Sequence, residues 1–244
     1  MTAFERLAPG DPSSPLLFLC DHASAALPPE RALLGLDPAL FQTHIAYDIG
    51  AALVTRTLAA RFQAGAVLGR WSRLLIDLNR GEDDPTLVMK LSDGSIIPGN
   101  RDAGPDEVAR RVRDYYRPYH AAIAVELDRI GPQAALISIH SFTPVWKGRA
   151  RPWEVGVLWD ADRRLAGPLM ARLSQYAFLY GDNEPYSGAL ENDCLNRHGT
   201  RRGLPHVLIE IRQDLIATEA MAQDFAGRLY PVLAAAIADM ERVR

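Results

Sequence analysis

Five short, nearly continuous apolar runs constrain this chain more than any other feature. They lie at residues 15–20, 74–78, 134–139, 154–159 and 207–212, and four of them carry or meet a polar group at or near their C-terminal end. A strand with one wet face alternates apolar and polar residues, whereas a nearly continuous run fits a strand covered on both faces, as in a parallel sheet. Segments of helical period separate the runs. Residues 40–62 repeat Ala, Leu and Val at three- and four-residue spacing. Residues 106–130 start acidic and stop at Gly131-Pro132, and residues 163–176 and 218–244 complete the set. Strands alternating with helices predict an α/β fold: one domain over residues 1–244, three-layered α/β/α, with a mostly parallel or mixed central sheet. Residues 81–105 and 182–203, rich in Gly, Pro, Asp and Asn, predict long loops.

Charge excludes several function classes. With 27 basic and 30 acidic residues and a net charge of −3, the chain lacks the basic footprint of a nucleic-acid or anionic-membrane binder. No window approaches the ~20 apolar residues of a membrane span, and residues 1–15 carry no apolar signal-peptide core. Cys20 and Cys194 are the only cysteines and lack CxxC spacing; a reduced pair is preferred over a single bridge. The expectation is a soluble, cytoplasmic protein acting on a small molecule.

Polar residues cluster where the runs end. His22, Asn79-Arg80, His140 and Glu210 each fall at or near the C-terminal end of a predicted strand, the edge where open α/β sheets bind ligands. Catalytic zinc takes three protein donors, often two imidazoles and a carboxylate, and keeps a position for water. His22 and His140 are the best-placed imidazoles and Asp48 a plausible carboxylate, with His44, four residues earlier, as an alternative. No HExxH element is present. Glu210, a charge inside Val207-Leu208-Ile209-Glu210-Ile211, suits the general base that such a reaction needs; the competing reading is an ion pair with Arg212. Asn79-Arg80 suits a substrate carboxylate, because a guanidinium fork matches two oxygens; Arg73 and Arg212 share that reading. His198, in Asn196-Arg197-His198-Gly199, is either a substrate contact or a turn residue. His120 is expected to pack on a helix surface, and His206 to be structural.

Taken together, these segments resemble the N-formylglutamate amidohydrolase family. The matching residues are Cys20-Asp21-His22-Ala23-Ser24 with Leu27-Pro28, Tyr47-Asp48, Ser72-Arg73-Leu74 and Asp77-Leu78-Asn79-Arg80. They continue through Ile139-His140-Ser141-Phe142-Thr143-Pro144, Asn183-Glu184-Pro185-Tyr186-Ser187-Gly188, Arg197-His198-Gly199 and Ile209-Glu210-Ile211-Arg212. The resemblance implies a fold similar to zinc carboxypeptidases and aminoacylases, one zinc ion, and hydrolysis of N-formyl-L-glutamate to formate and glutamate in histidine breakdown. It implies zinc on His22 and His140 with Asp48 as the carboxylate, Glu210 in the catalytic position, and Asn79-Arg80 gripping a substrate carboxylate. Two departures stand out: Asp21-His22-Ala23-Ser24 replaces the family's Pro-His-Ser-Gly, and Ala25 stands where a peptidase-type His-x-x-Glu carries Glu.

Overall fold

Four of the five apolar runs become strands. The computed structural model describes residues 2–243. Its strands are β1 (Phe4–Leu7), β2 (Leu16–Cys20), β3 (Gly65–Gly69), β4 (Leu91–Ser92), β5 (Ser95–Ile96), β6 (Ala135–Phe142), β7 (Val145–Trp146), β8 (Arg149–Ala150), β9 (Val155–Leu158), β10 (Tyr180–Asp182) and β11 (His206–Arg212). The α-helices are α1 (Ala51–Arg61), α2 (Pro98–Arg101), α3 (Pro105–Arg111), α4 (Arg117–Ile130), α5 (Ala166–Gln175), α6 (Cys194–His198) and α7 (Glu219–Val243).

Seven strands form one sheet in the order β1-β3-β2-β6-β11-β9-β10. Strands β3, β2, β6 and β11 run parallel, β1 is antiparallel on one edge, and β9 with β10 runs antiparallel to β11 on the other. Every residue of β2, β3, β6 and β9 is buried, as the lack of alternation requires. Helices α1, α5 and α7 cover one face through a core that includes Phe18, Leu58, Ile137, Leu169, Ile209 and Phe225. Helix α4 and the segment 71–88 cover the other with Leu17, Leu19, Leu136, Leu75 and Ile123. The fold is therefore mixed α/β in three layers with a mostly parallel sheet.

The run at 74–78 is not a strand. Leu74, Leu75 and Ile76 are as buried as strand residues, so apolarity alone cannot distinguish the two cases. The difference lies in where the backbone groups go. Asn100 donates to the Leu74 carbonyl (2.8 Å), Arg111 to that of Leu75 (2.7 Å) and Tyr116 to that of Arg80 (2.7 Å), while His120 Nε2 lies 3.1 Å from the Leu78 oxygen. Side chains of α2 to α4 thus replace a ladder, and the buried backbone is satisfied without one. The parallel strand that does follow α1 is β3, whose glycine-flanked Gly-Ala-Val-Leu-Gly gives a weaker signal.

Helix boundaries shift for local reasons. The helix expected at 40–62 starts only at Ala51; Pro38–Gln42 is a short 3-10 turn. Gly50 separates the two at φ +80°, where a Cβ would meet the Ile216 carbonyl at 2.2 Å, so only glycine fits. The helix expected at 106–130 is helical throughout but widens to a π turn at Val112–Tyr116. Pro118 has no N–H to return to Asp114, and the π turn precedes it. The two expected loops enclose the β4–β5 hairpin and α2 in one case and α6 in the other. Both cysteines are free and buried. Among the described residues, no helix is long and apolar enough to cross a membrane.

Candidate active site

Three parallel strands and the turn before α1 bring the key side chains together. His22 follows β2 directly, His140 lies in β6, and Glu210 sits opposite His140 in the β6–β11 register. Asp48 ends the turn region before α1; its N–H donates to the His22 carbonyl at 3.0 Å. A cavity of about 400 Å³ opens here, lined by His22, Asp48, His140, Glu210, Arg73, Asn79 and Arg80. That volume suits a small molecule.

The two imidazoles meet edge to face, with centroids 5.1 Å apart. Both Nδ1 atoms face one oxygen: Asp48 Oδ2 lies 2.9 Å from His140 Nδ1 and 3.4 Å from His22 Nδ1. Their Nε2 atoms face other carboxylates, Asp77 at 2.8 Å from His22 and Asp21 at 3.0 Å from His140. Asp21 and Asp77 are wholly buried; Tyr119 also donates to Asp21 (2.5 Å), and Arg73 to Asp77 (2.8 Å). Each ring therefore has an acceptor on both nitrogens, yet a neutral imidazole carries only one hydrogen. Either both rings are protonated, or a cation lies among Nδ1, Nδ1 and Asp48. His22, Asp48 and His140 offer three donor atoms within 4.8 Å of one another, so the residues fit a metal. Carboxylates behind Nε2 are the kind of outer partner that fixes the tautomer of a histidine when it ligates a metal.

Charge follows the same geometry. Burial would raise the Asp48 carboxyl, but His22 and His140 hold it well below the usual carboxylate range. Burial likewise opposes charge on His22 and His140, yet Asp77 and Asp48 raise the one and Asp21 and Asp48 the other. A divalent cation in the same place would take over the protons' role. Glu210 is different. Burial pushes its carboxyl up to about 7, and Oε2 has no hydrogen-bond partner. A buried carboxylate oxygen without a partner is costly unless it is placed for use.

The expected residues divide into two groups. Arg73, Asn79 and Arg80 line the cavity, though Asn79-Arg80 stands in a turn after Asp77 rather than at a strand end. Arg73 is largely occupied, with Asp77 at 2.8 Å and Asp48 at 3.6 Å, whereas Arg80 reaches only Asp84, at 3.9 Å. Asn79 accepts from the Cys194 N–H through its side-chain oxygen. Arg212 and His198 lie outside this lining. Arg212 pairs with Asp214 (2.8 Å) and the Pro152 carbonyl (2.9 Å), because the half-buried end of β11 points it away; it is not the ion partner of Glu210. His198 is buried against His120, Nε2 to Nδ1 at 2.9 Å. His120 is thus interior rather than on a helix surface, and burial pushes the two imidazoles down to about 3 (His120) and about 4 (His198). His206 is structural as expected, held by Thr200 and the Leu204 carbonyl. His44 lines the cavity but stands apart from the other donors, since residues 44–46 form a turn and no helix aligns them with Asp48. Asp21, Asp77, Tyr119 and Ser138, whose hydroxyl lies 3.1 Å from His140 Nε2, join the site without a role that the sequence pattern assigns them. A charge within an apolar run, the signal that marked Glu210, also marks Asp77.

A desolvated carboxylate beside two carboxylate-backed histidines, at the C-terminal edge of a parallel α/β sheet, has the form of an enzyme active site suited to acid–base chemistry. The chain belongs to the N-formylglutamate amidohydrolase family, whose sequence model matches residues 14–217; it is an amidohydrolase. The gene product Atu2144 from Agrobacterium tumefaciens is 33% identical with a TM-score of 0.93, covering 99% of this chain and 97% of that one. An N-formylglutamate amidohydrolase from Ralstonia eutropha JMP134 shares the fold at 20% identity and a TM-score of 0.72, over 100% and 99% of the two chains. The sequence matches no curated protein significantly.

Proposed function

We propose that this protein is a zinc-dependent hydrolase of the amide bond in a small N-acylated acidic amino acid. N-formyl-L-glutamate, cleaved to formate and L-glutamate, is the leading substrate. Family membership supports the amide chemistry, and the similar Ralstonia protein is named for that substrate. The observation that carries the reading is the unpartnered Glu210 Oε2 beside three converging donors.

His22 Nδ1, His140 Nδ1 and Asp48 would hold the ion, the donor number a catalytic zinc takes. When bound, zinc polarises the scissile carbonyl and lowers the pKa of water to roughly 7. Glu210 accepts a proton from the attacking water as the C–O bond forms, and returns it to the leaving nitrogen as the C–N bond breaks. Asp21 and Asp77 keep the two imidazoles oriented with their Nε2 hydrogens outward. Arg80, weakly engaged within the protein, grips the substrate carboxylate with the amide NH2 of Asn79, whose oxygen is held by the Cys194 N–H. Arg73 lines the same wall and braces Asp77 and Asp48. In this reading the reaction serves histidine breakdown in the cytoplasm, which the two free, buried cysteines suit.

The test is formate release from N-formylglutamate by purified protein. EDTA abolishes it and added zinc restores it. Full turnover by protein stripped of metal would overturn the proposal.

A further inference from the structure

We propose that His120, Cys194 and His198 form a second, thiolate-containing zinc site, separate from the catalytic group. It does not rest on the catalytic reading. The three residues are buried, and their donor atoms lie within 4.8 Å of one another. Cys194 and His198 stand four apart on α6, and so share one helical face. His120 comes from the facing helix α4, and its ring stacks on His198 with centroids 5.2 Å apart and planes 15° off parallel.

The outer contacts favour a ligand role. The Leu78 carbonyl, 3.1 Å from His120 Nε2, can only accept, so Nε2 carries the hydrogen and the Nδ1 lone pair faces the cluster. A backbone carbonyl in that place is a usual partner of a metal-ligating histidine. No carboxylate belongs to the donor set. Two imidazoles and a sulfur select a borderline-soft cation of the zinc class over magnesium or calcium. With Zn–N bonds of 2.0–2.1 Å, tetrahedral donors stand about 3.3 Å apart. His120 Nδ1 and His198 Nε2, now 2.9 Å apart, would therefore open by about 0.4 Å, within the reach of side-chain rotation. Burial, with the Asp21 carboxylate nearby, keeps Cys194 a neutral thiol in the metal-free protein; zinc would replace the thiol hydrogen, and one proton leaves to solvent.

The position gives such a site a purpose. Helix α6 has five residues, too few to be stable alone, and in the stretch 183–205 it is followed only by a 3-10 turn at Thr200–Arg202. A cation bonded to Cys194, His198 and His120 ties that stretch to α4. It also firms the surroundings of Asp21, which backs His140.

Cobalt separates the two sites, because only a sulfur ligand gives thiolate-to-cobalt charge-transfer absorption and the His22–Asp48–His140 group has no sulfur. Chelator-stripped protein titrated with Co2+ should develop that band as one ion per chain binds here, in addition to any ion taken by the His22 group. Cys194→Ser should lose the band and one equivalent, while Cys20→Ser should keep both. A His22→Ala/His140→Ala double variant should keep the band and gain thermal stability on adding zinc. A wild-type protein that binds one cobalt without the band overturns the proposal. So does a band that survives Cys194→Ser. Should Cys194→Ser fail to fold, the wild-type spectrum and the zinc-dependent Tm of the double variant still decide, and absence of both overturns it.

Discussion

Replacing Asp77 by Asn tests whether the carboxylates behind the histidines tune the metal. The change keeps volume, and the amide oxygen can still accept from His22 Nε2 and from the Asn79 N–H, now at 2.8 and 2.9 Å. What is lost is charge. The imidazole is left less basic, and loss of such an outer partner lowers metal affinity by about 10–100-fold, or about 1.4–2.8 kcal/mol. The second oxygen becomes an NH2 group facing the Arg73 guanidinium that now lies 2.8 Å away, donor against donor. Asp77 is fully buried, and Arg73 keeps only the longer contact to Asp48, at 3.6 Å. Breaking a buried pair on one side costs about 3–5 kcal/mol, and partial exposure of Arg73 reduces this to roughly 2–4. At about 2–4 °C per kcal/mol for a chain of this size, the metal-free Tm should fall by roughly 4–16 °C. Competition against a zinc chelator gives the first quantity and metal-free thermal unfolding the second. A variant that binds zinc within twofold of wild type would refute the role given to Asp77.

Three further outcomes follow from the same geometry. Glu210→Gln should lower kcat by ~10²-fold or more in the formate-release assay while metal content persists. Arg80→Ala should raise KM for an acidic substrate by roughly tenfold or more with a smaller change in kcat, as expected for losing a charge-assisted clamp; steady-state kinetics separates the two parameters. Glu126, buried, would have its carboxyl raised by that burial, but hydrogen bonds from Arg6 and Arg129 lower it. A lowered folded-state pKa means stability present above the unfolded-state value and lost as pH falls through the folded one. The unfolding free energy of wild type in urea titrations should therefore exceed that of Glu126→Gln at pH 7, by no more than about 1 kcal/mol with Arg6 exposed, and the gap should close in acid.

The fold class is legible in the sequence because burial on both faces leaves a direct compositional trace. The runs at β2, β6, β9 and β11 have no solvent face and so show no alternation. Residues 74–78 pass for a strand because apolarity reports burial, and the side chains that satisfy this backbone and its continuation to Arg80 come from Asn100, Arg111, Tyr116 and His120, up to several dozen residues away. The meeting of His22 with His140 was legible, since both follow from the strand-end rule. Asp48 was harder, for it reaches the pair through the turn that Gly50 permits rather than through a helix. The distant fates of Arg212 and His198 depend on which way a side chain leaves its backbone, and spacing does not encode that. Asp21 and Asp77 were within reach, as carboxylates next to or inside apolar runs.

The reversal of β9 has a consequence for how this scaffold diversifies. Because β9 and β10 run against β11, the chain leaves β10 pointing away from the catalytic edge and doubles back, and Tyr186 to Leu190 then wall the cavity. Gly156, opposite Glu210, lets that returning segment lie close, since a Cβ there would stand 2.3 Å from the Glu184 carbonyl. The groups proposed to break the bond are thus anchored in or beside the central ladder, while much of the opposing wall is a tract free of ladder constraints. Descendants could exchange that tract to admit new guests and keep the cutting apparatus intact.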